Sequence, residues 1–240
     1  MEEIPSVPTQ LTPIEASQLK VADTVFAPLA VAKYLIDPNN RWKEELYQKY
    51  LIPRWHKTTT FSHKCHVLLI ANFVLDIPKT SFKFLNQLFT HDASKMDSRQ
   101  EKVAYSLMFV LQDNRLAISE KTMLEGLAFF KEVGCAHHYK ENSHHPEHGP
   151  MTPDSIQECV IDALACILER QSPDTPKELF DKYFLNRHKD NKEKTEIEEC
   201  LNAMRERVES LPENVWLGVK LTSYYFKRFT YGAPVWTRFA

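Results

Sequence analysis

The sequence predicts an all-α fold, on three observations. Glycine is scarce, with 5 in 240 residues, whereas ordinary usage is about 7%. No Asn-Gly or Asp-Gly pair marks a tight hairpin anywhere in the chain. Apolar residues recur at helical spacing through one segment after another, and proline, serine, threonine and aspartate cluster between those segments.

Taken in order, "HKCHVLLIANFVL" predicts a helix opening near His63 and stopped by "LDIPKTS". "KFLNQLF" predicts a short helix that ends at "FTHDASKMDS". "QEKVAYSLMFVLQ" and "EKTMLEGLAFFKEV" carry two more apolar faces, and "SHHPEHGPMTPDS" breaks the pattern. "TPDSIQE" then offers Thr152 or Asp154 as N-cap for the helix "DSIQECVIDALACILERQ". After "RQSPDTPKE" come "PKELFDKYFLNRH" and the charged "HKDNKEKTEIEE", read as a polar turn between packed helices in preference to a domain boundary. "EIEECLNAMRERVESL" and, after "SLPEN", the aromatic-rich "ENVWLGVKLTSYYFKRF" complete the series, the latter expected to pack on the core.

Composition bounds the function. At 43% hydrophobic the chain buries a sizeable core, and 30 basic against 32 acidic residues leave a net charge of -2, too little to hold a nucleic acid polymer non-specifically. Five widely spaced cysteines without a C-x-x-C pair read as reduced thiols, and the acidic, proline-bearing N-terminus is unlike a secretory or mitochondrial leader. The longest apolar runs are too short to span a bilayer. A cytoplasmic protein without a membrane partner is expected; the oligomeric state is not legible.

The chemistry lies in histidines and carboxylates. "HHYKENSHHPEH", His137 to His148, holds five of the ten histidines. His91 and Asp92 are adjacent, an imidazole and carboxylate pair suited to first-row metals. On a regular helix neighbours diverge by about 100°, so the pair shares a centre only at a helix end. Lys95 follows on their face if the turn is helical. Upstream, His63 and His66 stand at i, i+3; downstream, Glu158 and Asp162 stand at i, i+4 inside an apolar pattern, where an unpaired carboxylate is costly. His56, His66, His137, His148 and His188 read as ordinary core or surface residues.

The order of His63, His91-Asp92, His138, His144-His145 and Asp162 resembles the HD-domain metalloenzyme superfamily. A closer resemblance is to short, functionally uncharacterised proteins frequent in phages and bacteria, with the pattern "HK…IP…HD.SK", then "H...N.HHPE", then "E...D". It covers about residues 62 to 165, through "HKCHVLLIANFVLDIPKTSFKFLNQLFTHDASKM", "HYKENSHHPEH" and "ECVID". The departures are Met96 for an aromatic, Asp76 for a glycine and Ala163 for a tryptophan.

The resemblance implies an HD-domain-like helical bundle. Residues 61–170 would be its metal-binding core, 1–60 an N-terminal helical extension packing on it, and 171–240 C-terminal helices completing the same globular unit. It also implies His63, His91, Asp92 and Asp162 as ligands of one divalent transition metal (Mn, Fe, Co, Ni or Zn). His138 and His145 would serve a second ion bridged by Asp92. Lys95, His144 and Glu158 would then act on substrate or orient ligands. The activity so implied is phosphohydrolysis of a small phosphorylated molecule, such as a nucleotide or phosphate ester. The alternatives are a di-iron oxygenase and a non-catalytic helical metal-binding protein.

Overall fold

The computed structural model describes residues 27–51, 53–113, 118–171, 175–179 and 193–231, and among them the regular structure is helical throughout, without a strand. The helices are α1 (Ala27–Ile36), α2 (Glu44–Tyr50), α3 (Pro53–Val74), α4 (Phe82–Phe89), α5 (Ser94–Asp97), α6 (Arg99–Asp113), α7 (Glu120–Phe129), α8 (Ala136–Glu141), α9 (Pro153–Gln171), α10 (Lys194–Glu209) and α11 (Glu213–Tyr231). A π-helical turn, Phe130–Cys135, follows α7, and 3₁₀ turns form at Ile77–Lys79 and Pro146–His148. The all-α expectation holds. No described helix is long and apolar enough to cross a membrane.

Two boundaries differ from the sequence reading. The helix expected to open near His63 begins earlier, at Pro53. Proline is pre-organised for a first helical position, and the run Thr58–Thr60, of low helix propensity, hides the start from a periodicity reading. Thr152, not Asp154, caps α9: its hydroxyl accepts from the Ser155 amide at 3.2 Å, with Pro153 in the first helical position. Most of "PKELFDKYFLNRH" and the first part of "HKDNKEKTEIEE" lie outside the described residues, as do the N-terminal stretch 1–26 and the tail after Tyr231.

The chain groups into two compact units that do not follow sequence order. One takes Met1–Lys57 with Ser94–His138; the other takes Thr58–Ala93 with Tyr139–Ala240. In the first, α6 supplies Val103, Leu107 and Leu111 to a core shared with Val31, Leu35, Tyr47 and Leu51. Two glycines permit the close approach of α7 and the π turn to α6: a Cβ at Gly126 would run into Leu111 Cδ1, and one at Gly134 would meet Ala104 Cβ at 2.8 Å. Arg99, at the start of α6, donates to the carbonyls of Leu35, Asp37 and Asn40, satisfying the open end of α1.

The second unit is built around α9, whose Val160, Ile161, Leu164 and Leu168 are fully buried. Val67, Ile70 and Val74 of α3, Phe84 and Leu88 of α4, Ile197 and Leu201 of α10, and Val219 of α11 belong to the same core. Each such side chain contributes about 1.5–3 kcal/mol on burial. His66 ties α3 to α11: its Nδ1 donates to the Ser62 carbonyl at 2.8 Å, and its Nε2 lies 2.9 Å from Ser223 Oγ. That is the satisfied core histidine expected from sequence. The same core fixes α3 and α9 beside the end of α4, and on that platform the polar residues meet.

Candidate metal centre

The His91-Asp92 pair sits where α4 stops. Thr90 closes the helix, its amide bonded to the Asn86 carbonyl at 3.0 Å, and Asp92 then takes φ 56°. It is the only non-glycine residue with positive φ among those described. This left-handed conformation costs roughly 1 kcal/mol outside glycine, least for Asp and Asn. It turns the chain so that consecutive side chains converge, which regular helix geometry forbids.

Four side-chain atoms from three segments converge there. His63 Nε2 lies 2.9 Å from Asp162 Oδ1, 3.3 Å from His91 Nε2 and 3.6 Å from Asp92 Oδ2. His91 Nε2 lies 3.5 Å from Asp92 Oδ2 and 3.6 Å from Asp162 Oδ1. Donors held about 2.0–2.2 Å from one ion stand about 2.8–3.6 Å from each other, whether the angles are octahedral or tetrahedral. The spacing therefore fits a single first-row divalent cation, and the N₂O₂ donor set suits the borderline ions. All four residues are buried.

The other ring nitrogens explain why the imidazoles face inward. His63 Nδ1 is 3.3 Å from Glu169 Oε2, and His91 Nδ1 is 2.8 Å from Glu158 Oε1. A carboxylate only accepts, so both Nδ1 atoms carry protons and both Nε2 atoms point at the centre. Anchoring a ligating imidazole by its far N–H is how metal sites fix tautomer and ring angle. Ser62 Oγ donates to the second oxygen of Glu169 at 3.2 Å, and Gln87 Nε2 to the second oxygen of Glu158 at 2.6 Å.

Electrostatics agree. Burial opposes charge on His63, but Cys166, Asp162 and Glu169 outweigh it and hold the imidazole well above its ordinary value. Burial likewise opposes charge on His91, yet Asp92, Asp162 and Glu158 lift it to about 9. Burial would raise the two carboxyls; instead hydrogen bonds from His63 and His91 hold Asp162 well below the usual range, and those from His144 and His91 bring Glu158 to about 2. The cluster demands positive charge at its middle. A bound cation would supply it.

The histidine-rich stretch leaves α8 and closes a β-turn, the His145 amide bonding to the Asn142 carbonyl at 3.1 Å, before the 3₁₀ turn at Pro146–His148. The turn brings the rings of His144 and His145 together, their centroids 4.2 Å apart and their planes tilted by 46°. His144 is buried, its Nδ1 3.4 Å from Glu158 Oε1 and its Nε2 3.8 Å from Asp92 Oδ1. His145, half-buried, also packs on Tyr139 at 4.6 Å. Of the pair, the residue assigned to substrate therefore contacts both Asp92 and Glu158.

The remaining two assigned residues belong to the other unit. His138 Nδ1 lies 2.9 Å from Glu101 Oε2, and His137 Nδ1 lies 2.7 Å from Glu101 Oε1. Lys95 Nζ sits 4.9 Å over the Tyr105 ring. The sequence reading missed Glu169, Gln87, Ser62 and Cys166, whose thiol is 3.6 Å from Asp162 Oδ1. Glu169 and Cys166 were open to detection, since Glu158, Asp162, Cys166 and Glu169 form one stripe along α9 at helical spacing.

Residues 54–210 match the model of a family of unknown function, DUF5662, and the chain belongs to that family. No curated protein and no solved structure matches it.

Proposed function

We propose that this member of the DUF5662 family is an HD-like, metal-dependent phosphohydrolase acting on a small phosphorylated substrate, a nucleotide or related phosphate ester. The observation that carries the reading is that His63 Nε2 and His91 Nε2 lie 3.3 Å apart and each within 2.9–3.6 Å of Asp92 Oδ2 and Asp162 Oδ1, each imidazole braced by its own glutamate. The order of the ligands along the chain supports the HD-like assignment.

His63, His91, Asp92 and Asp162 would hold the ion. Such an ion, when bound, lowers the pKa of water towards neutrality and polarises a phosphoryl oxygen. Asp92 turns Oδ2 to the ligand set and Oδ1 towards His144. With Nδ1–H given to Glu158, His144 keeps Nε2 as the atom that holds or releases a proton beside Asp92. Burial of His144 and Glu158 keeps bulk water from competing for that proton. Lys95, three residues after Asp92 in the sequence, is the cation assigned to substrate phosphate.

The test is phosphate release from a panel of nucleotides and phosphate esters by protein reconstituted with Mn or Co, with oxygen uptake followed in parallel. Phosphate release lost with chelator and with His144→Ala supports the proposal. Release at an unchanged rate in Lys95→Ala removes that residue's role. Substrate-dependent oxygen uptake with two irons per chain replaces the hydrolase by the oxygenase. Tight metal binding with neither activity leaves a non-catalytic metal protein.

A further inference from the structure

Glu158 is 3% exposed and receives three donors. Gln87 Nε2 reaches Oε2 at 2.6 Å; His91 Nδ1 and His144 Nδ1 reach Oε1 at 2.8 and 3.4 Å. An sp² oxygen has two lone pairs near the carboxylate plane. Oε1 therefore serves both imidazoles only when that plane is held at one rotation about the Cγ–Cδ bond, a torsion that is intrinsically broad. Gln87, in the last turn of α4, is the contact that holds it from the opposite oxygen.

We propose that Gln87 is a positioning residue that locks the Glu158 carboxylate, so that one oxygen fixes the tautomer of the ligand His91 and of the loop histidine His144 together. The inference rests on the reading of His91 as a metal ligand, but its own content is the shared lock. His63 is braced instead by Glu169, whose other oxygen accepts from Ser62 Oγ. The second unit thus contains two braces, and the one at Glu158 also contacts the histidine loop, through His144. Loss of Gln87 lets the carboxylate rotate, His91 and His144 then compete for it, and the turn Asn142–His145 loses its inner anchor.

The experiment uses full-length protein with ¹⁵N-labelled histidine, in metal-free and Co-titrated forms. Gln87→Met removes the donor at similar length; Gln87→Glu keeps the shape and sets a second carboxylate against Glu158. Gln87 is half-buried, so both variants are expected to fold. In metal-free protein the Nδ1–H signals of His91 and His144 should both move or broaden in each variant. The Nδ1–H of His66, bonded to the Ser62 carbonyl, should not. Co affinity should fall about 10- to 100-fold, the range seen when an outer hydrogen bond to a ligand is removed. Restoring an amide by reverting either variant should recover both readouts.

Movement of the His91 signal alone, or of neither, overturns the shared lock. Shifts that include His66 indicate general loosening of the unit and overturn it as well. Because the nuclear resonance readout needs no metal, wild-type protein that binds no Co but shows coupled His91 and His144 shifts refutes the metal reading and leaves the lock standing.

Discussion

Each unit of the molecule contains histidines on buried carboxylates, and the two clusters are wired differently. In the first unit one carboxylate, Glu101, takes the Nδ1 atoms of two consecutive histidines, His137 and His138, and the hydroxyl of Ser94 at 2.9 Å. There the donors gather on a single acceptor. In the second unit the braces Glu169 and Glu158 hold different imidazoles, and the opposite nitrogens converge with two more carboxylates, Asp92 and Asp162. Burying four such groups costs free energy unless a cation joins them. Histidine content therefore says less than which ring nitrogen is spent on the scaffold and what the other one faces.

The largest effect expected from this contrast is on bound metal. Asp92→Ala removes a carboxylate from the convergent set, so metal per chain, measured by elemental analysis after dialysis, should fall to background while helical circular dichroism persists. Glu101→Gln should leave metal per chain unchanged, since Glu101 is not among the four proposed ligands. Equal loss in both variants would erase the distinction between the clusters.

Next in size is stabilisation by the ion. A ligand that binds only the folded state at 100 times its Kd adds about 2.7 kcal/mol. Hydrogen exchange should show that gain in the amides of α3 and α9 around His63 and Asp162, which the ion would cross-link. If α6 of the first unit gained as much and the second unit nothing, the ion would belong elsewhere.

The smallest effect is acid sensitivity in the first unit. Burial would raise the Glu101 carboxyl, but hydrogen bonds from His138 and His137 outweigh it and hold it below its ordinary 4.5. A depressed carboxyl contributes stability that is present above about pH 4.5 and lost as pH falls through the folded value. Unfolding free energies of wild type and Glu101→Gln from urea titrations should therefore differ by about 1–2 kcal/mol at neutral pH and converge in acid. A constant gap across pH would show that Glu101 acts by shape and not by charge.

Much of this was legible in the sequence, and the parts that were not share a cause. The helices could be read because their apolar faces repeat within a single segment, as in α9, where Val160, Ile161, Leu164 and Leu168 are fully buried. Asp162 stood out because a carboxylate inside an apolar face is expensive, and His91-Asp92 because imidazole and carboxylate are adjacent, whereas the grouping of these with His63 came from the resemblance to the HD pattern. The start of α3 could not, since Thr58–Thr60 carry no periodic signal. Gln87 was invisible for a different reason. It lies 71 residues from Glu158, an ordinary amide on a short helix, and only packing of α4 against α9 gives it a partner. The turn Asn142–His145 carries no signal of its own, because a run rich in His, Ser and Asn fits an extended loop and a β-turn equally well.

The left-handed backbone at Asp92 bears on how this protein would respond to selection. Glycine at that position relieves the conformation and removes the proposed ligand, so Asp92→Gly should exceed Asp92→Ala in unfolding free energy by about 1 kcal/mol in the absence of metal. A library selected for heat resistance in the presence of chelator would drift towards glycine or asparagine at residue 92. The same library selected with metal supplied would keep aspartate. The residue a population settles on would then report whether the ion is present in the compartment where the protein folds.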